Sequence, residues 1–198
     1  MRLFAHRTLV SAARLHYAQP HRGYHDAGHL DELIVLARQY VPDLDDSEQL
    51  AILFHDAVYV PGAARGENER LSARLMEATV ATLEREQAGI AVSAGDLARA
   101  ALIIDATTHA EPPPDAAARV CDLDLWRLAS RWEEFQRHSL GIRHEYLHLS
   151  GSEAAFWTAR HAFYRSMLAK PRIFATADFR ARFEPAARAN MERALREG

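Results

Sequence analysis

Apolar residues recur along this chain at the spacing of helix faces, and no segment shows the strict alternation of a half-buried strand. The periods predict helices over 2–17, 27–40, 46–58, 67–87, 94–107, 115–130, 131–149, 151–169 and 179–196. Breakers lie between them. Pro20 and Gly23 separate the first pair, and Pro42 with Asp43 closes the second helix. Asp45 or Asp46 caps the third. Pro61, Gly62 and Gly66 make a loop. Ser93 caps the helix at 94–107, with Asp96 three residues on, close to a capping box. Pro112-Pro113-Pro114 is a stiff extended connector, and Gly151 and Pro171 mark the late breaks. With no repeat, low-complexity tract or linker, residues 1–198 read as one all-α domain of eight or nine helices.

Composition narrows the setting. A chain of 198 residues, 48% of them hydrophobic, can bury about 70% of its unfolded surface around one core. The net charge of −3, with acids and bases intermixed, argues against general nucleic-acid binding. It leaves room for a local basic pocket that takes a phosphate. Cys121 is the sole cysteine, which rules out an intramolecular disulfide and fits a reducing, cytoplasmic setting. No apolar run reaches the roughly 18 residues that a membrane span needs. Residues 1–25 hold no acid and carry Arg2, Arg7, Arg14 and Arg22, as organellar presequences do. Leu3, Leu9, Val10 and Ala13 instead predict a first helix, because motif residues begin near Tyr17.

The histidines carry the chemistry. His55-Asp56 ends the apolar run Leu50-Ala51-Ile52-Leu53-Phe54, so a buried helix delivers two metal ligands where the core opens. His29 starts a helix whose inner face holds Leu33, Leu36 and Ala37. Asp124 lies between Leu123 and Leu125, and a carboxylate there is costly to bury unless paired or coordinated. His29, His55, Asp56 and Asp124 make a mixed imidazole–carboxylate set that leaves positions open on a six-coordinate ion. The set suits one divalent metal and does not separate manganese, iron, nickel, cobalt, magnesium and zinc. His25 is the alternative to His29 as first ligand. Asp56 can both ligate and orient a nucleophile. Glu69 is a second acid–base candidate, or a solvated first-turn residue favoured by the helix dipole. Arg22 is a candidate phosphate contact. His109 is a candidate phosphate contact, or a ligand to a second metal for which further ligands are lacking.

The order His…His-Asp…Asp on helices resembles the HD superfamily of metal-dependent phosphohydrolases. More of the chain joins the likeness: Tyr17-x-x-Pro20-x-Arg22-x-Tyr24-His25-x-x-x-His29, Phe54-His55-Asp56-x-x-Tyr59, Asn68-Glu69-x-x-Ser72-Ala73 and Ile104-x-Ala106-Thr107-x-His109. Asp122-x-Asp124-Leu125, Ile142-Arg143-x-Glu145-Tyr146 and Glu184-x-x-Ala187-Arg188-x-Asn190 follow. Over roughly residues 15–195 the series is similar to a short single-domain branch described as predicted metal-dependent HD phosphohydrolases. His138 departs from the tyrosine expected there and concerns a wall residue. The resemblance implies an HD-type helical bundle and attack on phosphorus by a metal-bound water or hydroxide. It implies a small phosphorylated substrate, a nucleotide for preference. Some HD-like sites instead use two irons for oxygen chemistry, and others only bind a nucleotide.

A rival motif is present. His144-Glu145-Tyr146-Leu147-His148 fits H-E-x-x-H, the zinc-protease pattern, and Gly151 extends the match. Ala154 stands where a third ligand belongs, and the flanks predict helices rather than a substrate-binding sheet. The expectation is therefore a structural segment, with His148 dispensable and Glu145 anchoring its helix on an arginine. His25-Asp26-Ala27-Gly28-His29 only imitates the spacing. Trp126, Trp132, Phe135, Phe156, Trp157, Phe163 and Tyr164 recur at helical spacing and read as packing residues.

Overall fold

Capping side chains start the helices close to where the pattern places them. The computed structural model describes residues 1–197, and among these it is all-helical, with no strand. A short 3-10 turn, Leu3–Ala5, precedes α1 (Arg7–Leu15). The single helix expected at 2–17 is broken because the His6 ring caps α1, accepting from the Leu9 amide at 3.2 Å. Asp26 caps α2 (Ala27–Tyr40) by accepting from Gly28 and His29. Asp45 and Glu48 form a reciprocal capping box on α3 (Asp46–Phe54). Then come α4 (Glu67–Arg85), α5 (Ala94–Ala106), capped by Ser93, and α6 (Ala118–Leu125). A 3-10 turn, Trp126–Ala129, leads on to α7 (Trp132–Ser150), α8 (Glu153–Ala169) and α9 (Ala177–Glu197).

Apart from the broken first helix, most boundaries fall within two residues of the sequence expectation and two move further. The third helix stops at Phe54 instead of 58, and the sixth starts at Ala118 instead of 115. Pro112-Pro113-Pro114 supplies no backbone donors, and the first turn after it is irregular.

The core is built around α3. Every residue from Ser47 to Phe54 is buried, so this helix has no solvent face, as its nearly unbroken apolar run requires. It packs against α5, α4, α1, α2 and α6. Its buried polar residues are satisfied. Glu48 accepts from Arg119 at 2.8 and 2.5 Å, and Gln49 donates to the Leu44 carbonyl and accepts from the Leu3 amide. One hydrophobic cluster runs from Leu3 to Met191 and includes Phe174, Phe179 and Ala187 from the C-terminal part. No helix among the described residues is long and apolar enough to cross a membrane.

Helix α7 lies against the 20–26 segment. A Cβ built on Gly23 would stand 2.7 Å from the Gly141 carbonyl oxygen, so backbone meets backbone there. One turn further along α7, Glu145 reaches into the same segment and holds it in place for the site.

Candidate metal centre

Three helices aim four side chains at one point. His29 is in the first turn of α2, His55 caps the C-terminus of α3, Asp56 follows it, and Asp124 lies one residue before the end of α6. Each offers a ligand atom, and all four atoms lie within 4.8 Å of one another. His29 Nε2 is 3.2 Å from His55 Nε2 and 3.3 Å from an Asp124 oxygen. His55 Nε2 is 3.1 Å from Asp56 and 3.6 Å from Asp124, and His29 to Asp56 is 3.8 Å. Ligands about 2.1 Å from one ion and at right angles would stand about 3.0 Å apart, and trans ligands about 4.2 Å. The five spacings that involve a histidine fall in that range, so the four residues can fit one cation.

Hydrogen bonding explains why the nitrogens face inward. The Nδ1–H of His55 donates to the Ile52 carbonyl at 3.0 Å, which leaves its Nε2 lone pair pointing at the cluster. Two imidazole nitrogens facing each other at this distance repel unless a proton or a cation lies between them. His29 is fully buried, its Nδ1 has no partner, and the Tyr24 ring stacks on it at 5.3 Å. The Tyr24 ring is in turn covered by the Arg127 guanidinium at 4.7 Å, and Arg127 pairs with Glu32.

Charge points the same way. Burial pushes the His29 imidazole down, towards the neutral form that ligates. Burial opposes charge on His55 as well, but the Asp56 carboxylate outweighs it and pushes His55 well up. Burial would raise both carboxylates. His55 and His25 nevertheless hold Asp56 down, and bonds from His109, His29 and His55 hold Asp124 well down. Two ionised carboxylates therefore sit in a buried cluster; without an ion a proton on His55 offsets one of them, and a divalent cation would displace that proton and balance both.

Asp56 and Asp124 of the cluster line a cavity of about 510 Å³, with His29 and His55 buried behind them. Glu69, in the first turn of α4, lines this cavity, and burial pushes its carboxyl up. His109 is also brought to the site, but outside the four-atom group. Its Nε2–H donates to the second oxygen of Asp124 at 2.8 Å, and its backbone adopts a left-handed φ of 49°. Its place is behind a ligand, fixing which carboxylate oxygen faces the histidines. His25 lines the cavity too, with its Nδ1–H on Glu145 at 2.7 Å and its ring stacked on Tyr59 at 4.0 Å. The place in the ligand group belongs to His29 and not to its alternative, His25.

Three expectations need correction. Arg22 is buried and does not face the cavity. Its guanidinium donates to Gln19 Oε1 and to the carbonyls of His25, Asp56 and Ala57, so it shapes the backbone around the His-Asp pair instead of holding a phosphate. Glu145 has no arginine partner. One of its oxygens accepts from the amides of Gly23, Tyr24 and His25, and the other from the His25 ring. The third is His138, expected as a wall residue: it is set back from the cavity, edge-on to Tyr24 at 5.8 Å, and burial pushes its imidazole down to about 3. Phe156 and Phe163 pack as expected, the first buried and the second against the core, and both also line the cavity.

The H-E-x-x-H segment makes no ligand group. His144 and His148 are exposed, and neither belongs to a metal-competent cluster among the described residues. Both Glu145 oxygens are spent on the 23–25 segment.

Two cavity residues carry no sequence signal that separates them from ordinary surface positions: Arg65 and Arg160, which line it. Tyr59 and Tyr146, both in the motif series, meet through their hydroxyls at 2.9 Å and line the same cavity. Comparisons with protein-family models, with curated proteins and with solved structures find no match to this chain.

Proposed function

We propose that the protein is a metal-dependent phosphohydrolase of HD type, acting on a small phosphate ester, with nucleotides as the substrate class. The observation that carries this reading is the group of His29, His55, Asp56 and Asp124, whose two aspartates line a cavity large enough for a small molecule. A divalent ion held there supplies Lewis acidity: it makes a water more acidic and takes up charge from phosphoryl oxygens.

The chain's own residues have separable tasks. Asp56 and Asp124 would hold the ion and neutralise it, and His109 fixes Asp124. Glu69, its carboxyl raised by burial and lining the cavity, suits a group that gives and takes a proton. Tyr24 packs on the ligand His29 and keeps water from it. Glu145 holds the 23–25 segment, and with it His25, at the mouth of the site.

The test combines metal analysis of the purified protein with a phosphate-release screen over nucleotides and small esters, with several divalent ions added. The expected result is about one metal per chain and phosphate release that a chelator abolishes and added metal restores. Metal bound without phosphate or nucleotide product across the panel would replace this reading with a binding-only one. Glu69→Gln should keep the metal and lower the rate by about 100-fold or more.

A further inference from the structure

Arg160 is an arginine without an acceptor for its fork. It projects from α8 into the wall of the same cavity that holds Asp56, Asp124 and Glu69. Its one hydrogen bond runs from Nε–H to the Tyr164 hydroxyl at 3.0 Å, and Tyr164 is itself fixed by Ser139 at 2.7 Å. Its guanidinium carbon lies 4.9 Å from the Phe163 ring centre and 4.8 Å from that of Tyr164. Orientation is thus set on one edge and one face. The terminal nitrogens, four N–H donors in a planar fork, have no protein acceptor among the described residues.

The other buried and half-buried arginines behave differently. Arg99, Arg119, Arg127, Arg143 and Arg188 each pair with a carboxylate. Arg22 and Arg180 spend their forks on backbone carbonyls. A guanidinium partly removed from water and left unpaired is costly, and the cost is recovered when an anion arrives. The lining of the cavity includes the apolar Leu125, Leu128, Ile142 and Phe156, and such surroundings strengthen a charge-assisted bond made there.

We infer that Arg160 is a second anchor, and that the cavity takes a molecule with two anionic groups. One group lies at the metal ligands and the other is gripped by the Arg160 fork, a phosphate or carboxylate held by two parallel hydrogen bonds. The placement of the first group rests on the proposed phosphohydrolase reading; the second anchor stands on the geometry of Arg160. It makes Arg160 the residue that selects among phosphate esters.

The test uses metal-loaded protein and non-hydrolysable probes. Binding of alkane-α,ω-diphosphonates of increasing length is measured by calorimetry beside the matching alkylmonophosphonates. A diphosphonate of fitting length should bind about tenfold tighter or better than its monophosphonate. Arg160→Met should abolish that gain and leave monophosphonate binding unchanged, while Arg160→Lys, with a point charge but no fork, keeps part of it. Should Arg160→Met fold poorly, Arg160→Gln and Arg160→Lys carry the comparison. The inference falls if no length improves on the monophosphonate in the wild type. It also falls if the gain survives Arg160→Met or Arg160→Gln, or if the variant weakens both probe classes equally. Retention of the Arg160-dependent gain in a protein that releases no phosphate from the corresponding esters would refute the hydrolase reading and leave the second anchor standing.

Discussion

His55-Asp56 and His144-Glu145-Tyr146-Leu147-His148 offer similar chemistry in sequence, yet their surroundings use it in opposite ways. The first follows a helix buried on all sides, and neighbouring helices bring His29 and Asp124 to within 4.8 Å. The second lies on α7 with both histidines exposed, and its glutamate accepts four hydrogen bonds from the 23–25 segment. Spacing along one helix is therefore a weak guide to metal binding. What decides is whether other elements converge on the same point and leave lone pairs without other partners.

The comparison can be broken first at Glu145. Glu145→Ala removes the acceptor of three amides and one imidazole in a buried place, and should cost about 3–5 kcal/mol, read as a shift in denaturant midpoint. Burial opposes its charge, but His25 and the amides outweigh burial and hold the carboxyl below the usual 4.5. The folded state thus prefers the ionised form. Its contribution is present above about pH 4.5 and is lost as pH falls through the lower folded value. The stability gap between wild type and Glu145→Gln should shrink over that acid window. A gap that stays constant from neutral pH to well below it would remove the carboxylate from the account.

Ligand removal comes next. His29→Ala or Asp124→Ala should weaken metal binding by about 100-fold or more, near 3 kcal/mol, in a competition with a coloured chelator. His109→Ala, which frees one Asp124 oxygen, should weaken it by about 10–100-fold, the usual range for a partner behind a ligand. Equal losses for His109 and a ligand would put His109 on the ion itself. The smallest effect is expected at His144→Ala, within about 0.5 kcal/mol in stability and with no change in metal affinity.

Much of this arrangement is legible in the chain. The apolar periods and the caps at Asp45 and Ser93 place the helices, because they are local signals that packing does not override. The ligand group is legible for a related reason: His55-Asp56 follows an apolar run too continuous to be a surface helix, and Asp124 sits between leucines. Arg22, Glu145 and Arg160 are not legible. Each is a charged residue whose role depends on partners from distant segments. The carbonyls of Asp56 and Ala57 occupy Arg22, the amides of residues 23–25 occupy Glu145, and nothing occupies the fork of Arg160. No spacing rule distinguishes these three outcomes.

The central claim is that metal binding belongs to the convergent helices and not to α7. Metal content of His55→Ala and His148→Ala, purified side by side and measured with the wild type by elemental analysis, tests it directly. The account predicts a full complement in His148→Ala and loss of most of the metal in His55→Ala, with both proteins folded. Metal retained in His55→Ala and lost from His148→Ala would contradict it.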